Sequence, residues 1–256
     1  MCGPARGVRR SVTGLQSNCT ASTLVAHKIT EVQATLSPEE IVLAFIWYVV
    51  FLFSTTCHEA AHALAAKLQG DETAARGGQV TLNPVPHIRR EPFGMVLVPI
   101  ASVILSKGSS LFGWASAPLD PDWARRYPRR AAIMAMAGPA ANFILMFLAV
   151  LGIQIGRAMQ LFSTQGGGAF AFQLLFILFS LNLLLGIFNL VPAPPLDGSS
   201  AVMIFMGDSA ARRYLDWLRG GNLGLLGLLA AVILFRYIYP PIHEVVRDAL
   251  LGVQWF

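Results

Sequence analysis

The sequence predicts an all-α polytopic membrane protein, and three observations predict it. Only 13% of the 256 residues are charged, against about 25% in an average soluble domain. Hydrophobic residues make up 55%, and the mean hydropathy is +0.58. These residues also fall in long runs separated by Pro-, Gly- and Arg-rich stretches. One soluble domain of this length cannot hide that much apolar surface, whereas a run of about 20 apolar residues spans a bilayer as a helix. About four full transmembrane helices are expected, with a re-entrant segment and a small β-hairpin.

Residues 1–38 are polar and irregular, and are expected to form a flexible N-terminal tail. Arg6, Arg9 and Arg10 are not followed by the apolar stretch that a signal peptide requires. Ser37-Pro38-Glu39-Glu40 then reads as a helix start: a cap residue, Pro in the first turn, then acids. The helix it opens is apolar to Phe53 and carries polar residues from Ser54 to Leu68. Gly77-Gly78 signals a turn, and the alternation Gln79-Val80-Thr81-Leu82 predicts a strand of a hairpin over 77–88. Phe93 to Leu105 is short for a span and is expected to be re-entrant.

Three more apolar segments follow. One runs from about Arg130 to Ile155, one from about Ala169 to Val191, and one from about Asn222 to Tyr239, where Pro240-Pro241 is expected to end it. A short helix is expected from Ser199, and a charged loop over 207–220. The membrane domain is expected over 39–240, with an amphipathic tail over 241–256 lying at the interface.

The net charge is +5 and the sequence pI about 9.4. The basic residues cluster between apolar runs: Arg125, Arg126, Arg129 and Arg130, then Arg212, Arg213 and Arg219. This is the pattern of cytoplasmic loops facing anionic lipid, so the lipid bilayer is one expected partner. No nucleic-acid motif occurs, and nucleic acid is not an expected partner. Cys2, Cys19 and Cys57 form no C-x-x-C pair, so neither a zinc knuckle nor a disulfide framework is expected.

The chemistry concentrates in His58-Glu59-Ala60-Ala61-His62. Residues four apart lie on one helix face, so His58 and His62 can offer two imidazole nitrogens to one Zn²⁺. Glu59 lies beside them and can act as general base on water. Imidazole and carboxylate groups inside a membrane helix are costly and mark function by default. Two imidazoles leave such a zinc short of a ligand. Among the acids, Glu91, Asp208 and Asp216 fall in loops, whereas Asp197 follows a stretch broken by Pro192, Pro194 and Pro195. Irregular backbone at membrane depth is tolerated where it lines a polar cavity. Asp197 is therefore the candidate third ligand, although capping the helix from Ser199 is another use for it.

Three motifs resemble the site-2 protease family of intramembrane zinc metalloproteases. They are His58-Glu59-Ala60-Ala61-His62, Gly138-Pro139-Ala140-Ala141-Asn142, and Asn189-Leu190-Val191-Pro192-Ala193-Pro194-Pro195-Leu196-Asp197-Gly198. The resemblance implies Zn²⁺ held by His58, His62 and Asp197, with Glu59 catalytic. It implies Asn189 near the scissile peptide and Asn142 facing the active-site helices, both as substrate-binding candidates, with Asn142 equally suited to an interhelical hydrogen bond. It implies a transmembrane or membrane-associated protein substrate in a bacterial or archaeal cell membrane. The family's PDZ and CBS domains find no room in this chain, which resembles the short branch. The Arg clusters predict an active site towards the cytosol. His87 reads as a structural loop residue, with a contact to the site or to substrate as the other reading.

Two other functions use the same residues. A membrane zinc transporter needs buried His and Asp but has no use for a non-ligating Glu inside H-E-x-x-H. A catalytically silent membrane interaction protein has no need of four intact chemical positions.

Overall fold

The computed structural model describes residues 37–106, 111–162, 166–220 and 223–252. The expected tail lies almost wholly outside them. The described residues are almost entirely helices and their connections. Helix α1 is Pro38–Leu68, followed by the short α2 (Thr73–Arg76) and α3 (Pro84–Arg90). A π-helical turn, Phe93–Leu97, leads into α4 (Val98–Leu105). Then come α5 (Pro121–Arg126), α6 (Pro128–Ala158) and α7 (Gly167–Asn189). Helix α8 (Asp197–Ala201) runs into a 3₁₀ turn (Val202–Phe205), and α9 (Asp208–Gly220) and α10 (Leu223–Leu251) complete the chain.

Four helices are long and apolar enough to cross a membrane: α1, α6, α7 and α10 from Gly224 onward. The chain is accordingly an integral membrane protein. Helix α1 opens with a reciprocal capping box: Glu40 N–H donates to Ser37 Oγ (3.2 Å) and Ser37 N–H to Glu40 Oε2 (2.7 Å).

Residues 42–256 form one unit whose interior is divided among three apolar clusters. Ile46, Val50 and Phe51 of α1 meet Ile177 and Leu181 of α7. Met146, Ala149 and Ile153 of α6 meet Phe179 and Leu183 of α7 and Leu251 of α10. Trp123 and Ala124 of α5 pack with Ala131 and Ala132 of α6, Met203, and Ala211 and Leu215 of α9. Alanines and glycines set the spacing. A Cβ on Gly186 would stand 3.0 Å from the Phe143 ring, so α6 and α7 approach closely, as membrane helices do through small residues.

Several sequence expectations are corrected. There is no strand among the described residues, so the hairpin over 77–88 does not form. Residues 77–78 form a turn, 80–82 are bends, and Pro84–Arg90 is helical. The reason is local: Asn83 accepts a hydrogen bond from Val85 N–H (3.0 Å), and Pro84 fits the first helical position. Phe93–Leu105 is helical and shorter than a span, and nothing among the described residues supports a re-entrant path for it. Its Gly94 carbonyl instead accepts from Trp114 N–H (3.0 Å), in the extended segment after it.

The charged stretch 207–220 is helix α9 rather than a loop. Ala211 and Leu215 face inward, while Arg212, Arg213 and Asp216 face out, the amphipathic pattern of a surface helix. Helix α10 passes through Pro240-Pro241 instead of ending there. Contacts on both sides of the prolines hold it to α7: Tyr239 OH donates to the Ser180 carbonyl (3.0 Å), and His243 Nε2 lies 3.1 Å from Ser180 Oγ.

The segments at one end of the spans are tied together. Arg130 donates to the Gln69 carbonyl at the end of α1 (3.0 Å). Arg125 pairs with Asp216 and Arg129 with Asp208 across to α9. Asp71 accepts from the backbone N–H of Thr73 and of Asp120.

Candidate metal centre

The site starts from the i, i+4 geometry of α1. His58 and His62 sit one turn apart, both buried, with Nε2 atoms 3.0 Å from each other. Asp197 reaches them from the first position of α8, after the chain has left α7 at Asn189 and crossed the proline-rich connection. Its Oδ2 stands 3.0 Å from His58 Nε2 and 3.2 Å from His62 Nε2. The tight return depends on Gly198, where a Cβ would stand 2.3 Å from the Leu190 carbonyl oxygen.

Each imidazole is oriented through its other nitrogen. His58 Nδ1–H donates to Asn142 Oδ1 of α6 (2.6 Å), and His62 Nδ1–H donates to the Met134 carbonyl (2.7 Å). A carbonyl oxygen only accepts, so Nδ1 carries the proton and a neutral ring turns its Nε2 lone pair to the centre. Asn142 is itself held, donating to Asn182 Oδ1 of α7 (2.8 Å), and Asn182 donates to Ser54 Oγ of α1 (2.9 Å). Asn142, Asn182 and Ser54 are all fully enclosed. The chain Ser54–Asn182–Asn142–His58 thus links three spanning helices to one ligand atom.

Those lone pairs test the fit to a metal. Two Nε2 atoms and a carboxylate oxygen about 3 Å apart repel one another unless a cation or protons stand between them. Tetrahedral zinc with bonds of about 2.0–2.1 Å separates neighbouring ligand atoms by about 3.3 Å, close to the spacing here. The donor set, two imidazoles and one carboxylate, is also that of catalytic zinc sites. His58, His62 and Asp197 form the cluster of metal-ligating side chains found among the described residues.

Glu59 is 5% exposed and is not part of this triad. It lies close enough for its charge to interact with His58, His62, Asp197 and His87. Asn189 is half-buried, and its Nδ2 donates back to the Leu185 carbonyl (3.0 Å); the structure records no bond from it to the triad.

Sequence reading missed three participants. Asn182 and Ser54 are polar residues within apolar spans, which is a usable signal. Gly138 floors the site: a Cβ there would stand 2.3 Å from His62 Nε2 and 2.5 Å from His58 Nε2. His87, expected as a structural loop residue, lies in the short helix α3 and is 1% exposed.

Comparison with known proteins found no matching family model and no matching solved structure. Two curated relatives match. The protein named "Putative zinc metalloprotease YwhC" of Bacillus subtilis (strain 168) is 36% identical over 154 residues, 59% of this chain and 64% of the relative. The protein named "Putative zinc metalloprotease Rip2" of Mycolicibacterium smegmatis (strain ATCC 700084 / mc(2)155) is 28% identical over 210 residues, 82% of this chain and 76% of the relative. The chain thus spans a little under two thirds of the first relative's length. The three motifs in order, the convergence of their His, His and Asp, and the similarity to two proteins named as zinc metalloproteases agree with the resemblance to the site-2 protease family.

Proposed function

We propose that the chain is an intramembrane zinc metalloendopeptidase, hydrolysing peptide bonds of membrane-embedded or membrane-proximal protein substrates. The observation that carries this reading is the triad His58, His62 and Asp197 with the non-ligating Glu59 beside it, inside the spanning part of α1. Bound there, zinc would supply Lewis acidity, polarising the scissile carbonyl and making water nucleophilic near neutral pH.

The chain's own residues do the rest. Glu59 takes the proton from the attacking water and returns it to the departing amide nitrogen, which leaves as an amine. Asn142 fixes the tautomer and angle of His58, and the Met134 carbonyl does the same for His62. Asn189 has a second amide N–H besides the one given to Leu185, and this proton suits a substrate carbonyl. The apolar walls of α1, α6 and α7 keep bulk water from the site, which strengthens each of these interactions.

The site end of the molecule is placed towards the cytosol. What supports this is the set of ties among Gln69, Arg125, Arg129, Arg130 and α9, which gathers the Arg-rich segments at the end where α1 finishes.

Glu59→Gln is the decisive variant. It should bind zinc stoichiometrically and lose cleavage of a membrane polypeptide by at least about 100-fold, within the range for a lost general base. Zinc content by mass spectrometry and product formation on gels read the two quantities separately. Unimpaired cleavage in that variant would sink the protease reading, and so would zinc flux into vesicles that persists in it. Substrates trapped by the same variant identify the natural target.

A further inference from the structure

We propose that His87 is a substrate-positioning residue whose Nδ1 accepts a hydrogen bond from a backbone N–H of the peptide being cut. The proposal rests on the protease reading and deepens it.

His87 is held by its backbone and by one ring nitrogen. Asn83 caps α3 and starts the turn that carries it. Its Nε2 lies 3.1 Å from the Thr81 carbonyl oxygen, so Nε2 carries the proton and donates. In the neutral ring Nδ1 is then an acceptor. The residue is 1% exposed, and Nδ1 has no hydrogen-bond partner among the described residues. Such an atom is uncommon, because leaving a buried acceptor unsatisfied costs about 1–3 kcal/mol. The ring also lies within electrostatic reach of Glu59, the proposed general base.

A substrate of the proposed kind supplies the missing donor. A peptide bond in a helix is shielded by its own hydrogen bonds, so the segment must be unwound before a water can reach it. Unwinding inside an apolar site strands backbone N–H groups, each costly without a partner. A buried acceptor with no partner of its own matches one of them. The bond is made only with the extended peptide, so it favours the unwound, cleavable form over the helical one.

Two substitutions separate the two ring nitrogens. His87→Gln places an amide near Nε2, keeps the donor to Thr81 and removes the Nδ1 acceptor. His87→Asn places an amide oxygen near Nδ1 and gives up the Thr81 bond. Each full-length protein is purified in detergent and assayed on casein and on a single-span polyleucine helix broken by Asn-Pro. Zinc content and melting temperature are measured alongside. The expected result is a fall in kcat/KM of about 10- to 100-fold for His87→Gln with zinc and melting temperature unchanged. His87→Asn should recover most of that loss. Wild-type cleavage by His87→Gln overturns the proposal. So does equal impairment of both variants, or a loss in His87→Gln that tracks lost zinc or a lowered melting temperature, since either marks a structural role. A wild-type protein that cleaves neither probe, like Glu59→Gln, refutes instead the protease reading beneath it.

Discussion

Helices α1 and α10 are both long, apolar and interrupted by polar residues, yet they are used differently. Half of the most apolar window of α1 is buried inside the protein, against 11% for α10. The polar groups of α1 are enclosed and bonded to other helices: Ser54 to Asn182, His58 to Asn142, His62 to Met134. Those of α10 sit at its margin, where Tyr239 and His243 meet Ser180 while Arg236 and Glu244 stay exposed. A cavity of about 410 Å³ lies there, lined by Trp47, Ser180, Tyr239 and His243 among others. The contrast separates two roles for a polar residue in a spanning helix. On α1 it builds a site, because neighbouring helices hold Ser54, His58 and His62. On α10 it fastens a peripheral helix to the bundle.

If that division is right, substitutions around α1 should remove metal, and substitutions along α10 should not. The largest effect is expected from Gly138→Ala. The added Cβ would stand 2.3 Å from His62 Nε2 and 2.5 Å from His58 Nε2, so the ligands must part. Zinc content should fall to background and cleavage with it, and a variant that holds zinc as wild type does would break the comparison.

Asn142→Ala comes next. It leaves His58 Nδ1 and Asn182 without their partner but keeps all three ligands. Zinc affinity should weaken about 10- to 100-fold, the usual cost of losing a group that orients a ligand. Competition with a chromophoric chelator measures it directly.

The smallest effect belongs to Tyr239→Phe. Deleting the hydroxyl removes one bond to the Ser180 carbonyl, which should cost about 1 kcal/mol or less in stability, as for interhelical hydrogen bonds in membranes. Thermal unfolding in detergent should shift slightly, and zinc affinity should not shift at all. A drop in zinc affinity here would mean that α10 supports the site after all.

The legible parts of the fold were those where a local rule acts. The four spans could be read because hydropathy sums along the chain, and the start of α1 because Ser37 and Glu40 are three residues apart. The hairpin over 77–88 was misread because alternation of side chains is a weak signal over four residues, and Asn83-Pro84 started a helix immediately after it. Helix α9 was read as a loop because its charges hid a spacing of Ala211 and Leu215 that matters only once α5 and α6 are beside it. The continuation of α10 past Pro240-Pro241 depends on Ser180, which is 59 residues from Tyr239 in the chain.

By itself the sequence determined that this is a membrane protein with four candidate spans, and that His58 and His62 share one face of one helix. Both follow from composition and from the 3.6-residue turn, which need no partner. It also singled out Asp197 by elimination. Only the tertiary structure brought that carboxylate within 3.0 Å of His58, across 139 residues of chain. Only the structure joined Ser54, Asn182 and Asn142 into the support of one imidazole, and only there do the absent Cβ of Gly138 and the buried ring of His87 take on meaning. These are long-range contacts, set by how α6, α7 and α8 pack on α1, and no spacing along the chain encodes them.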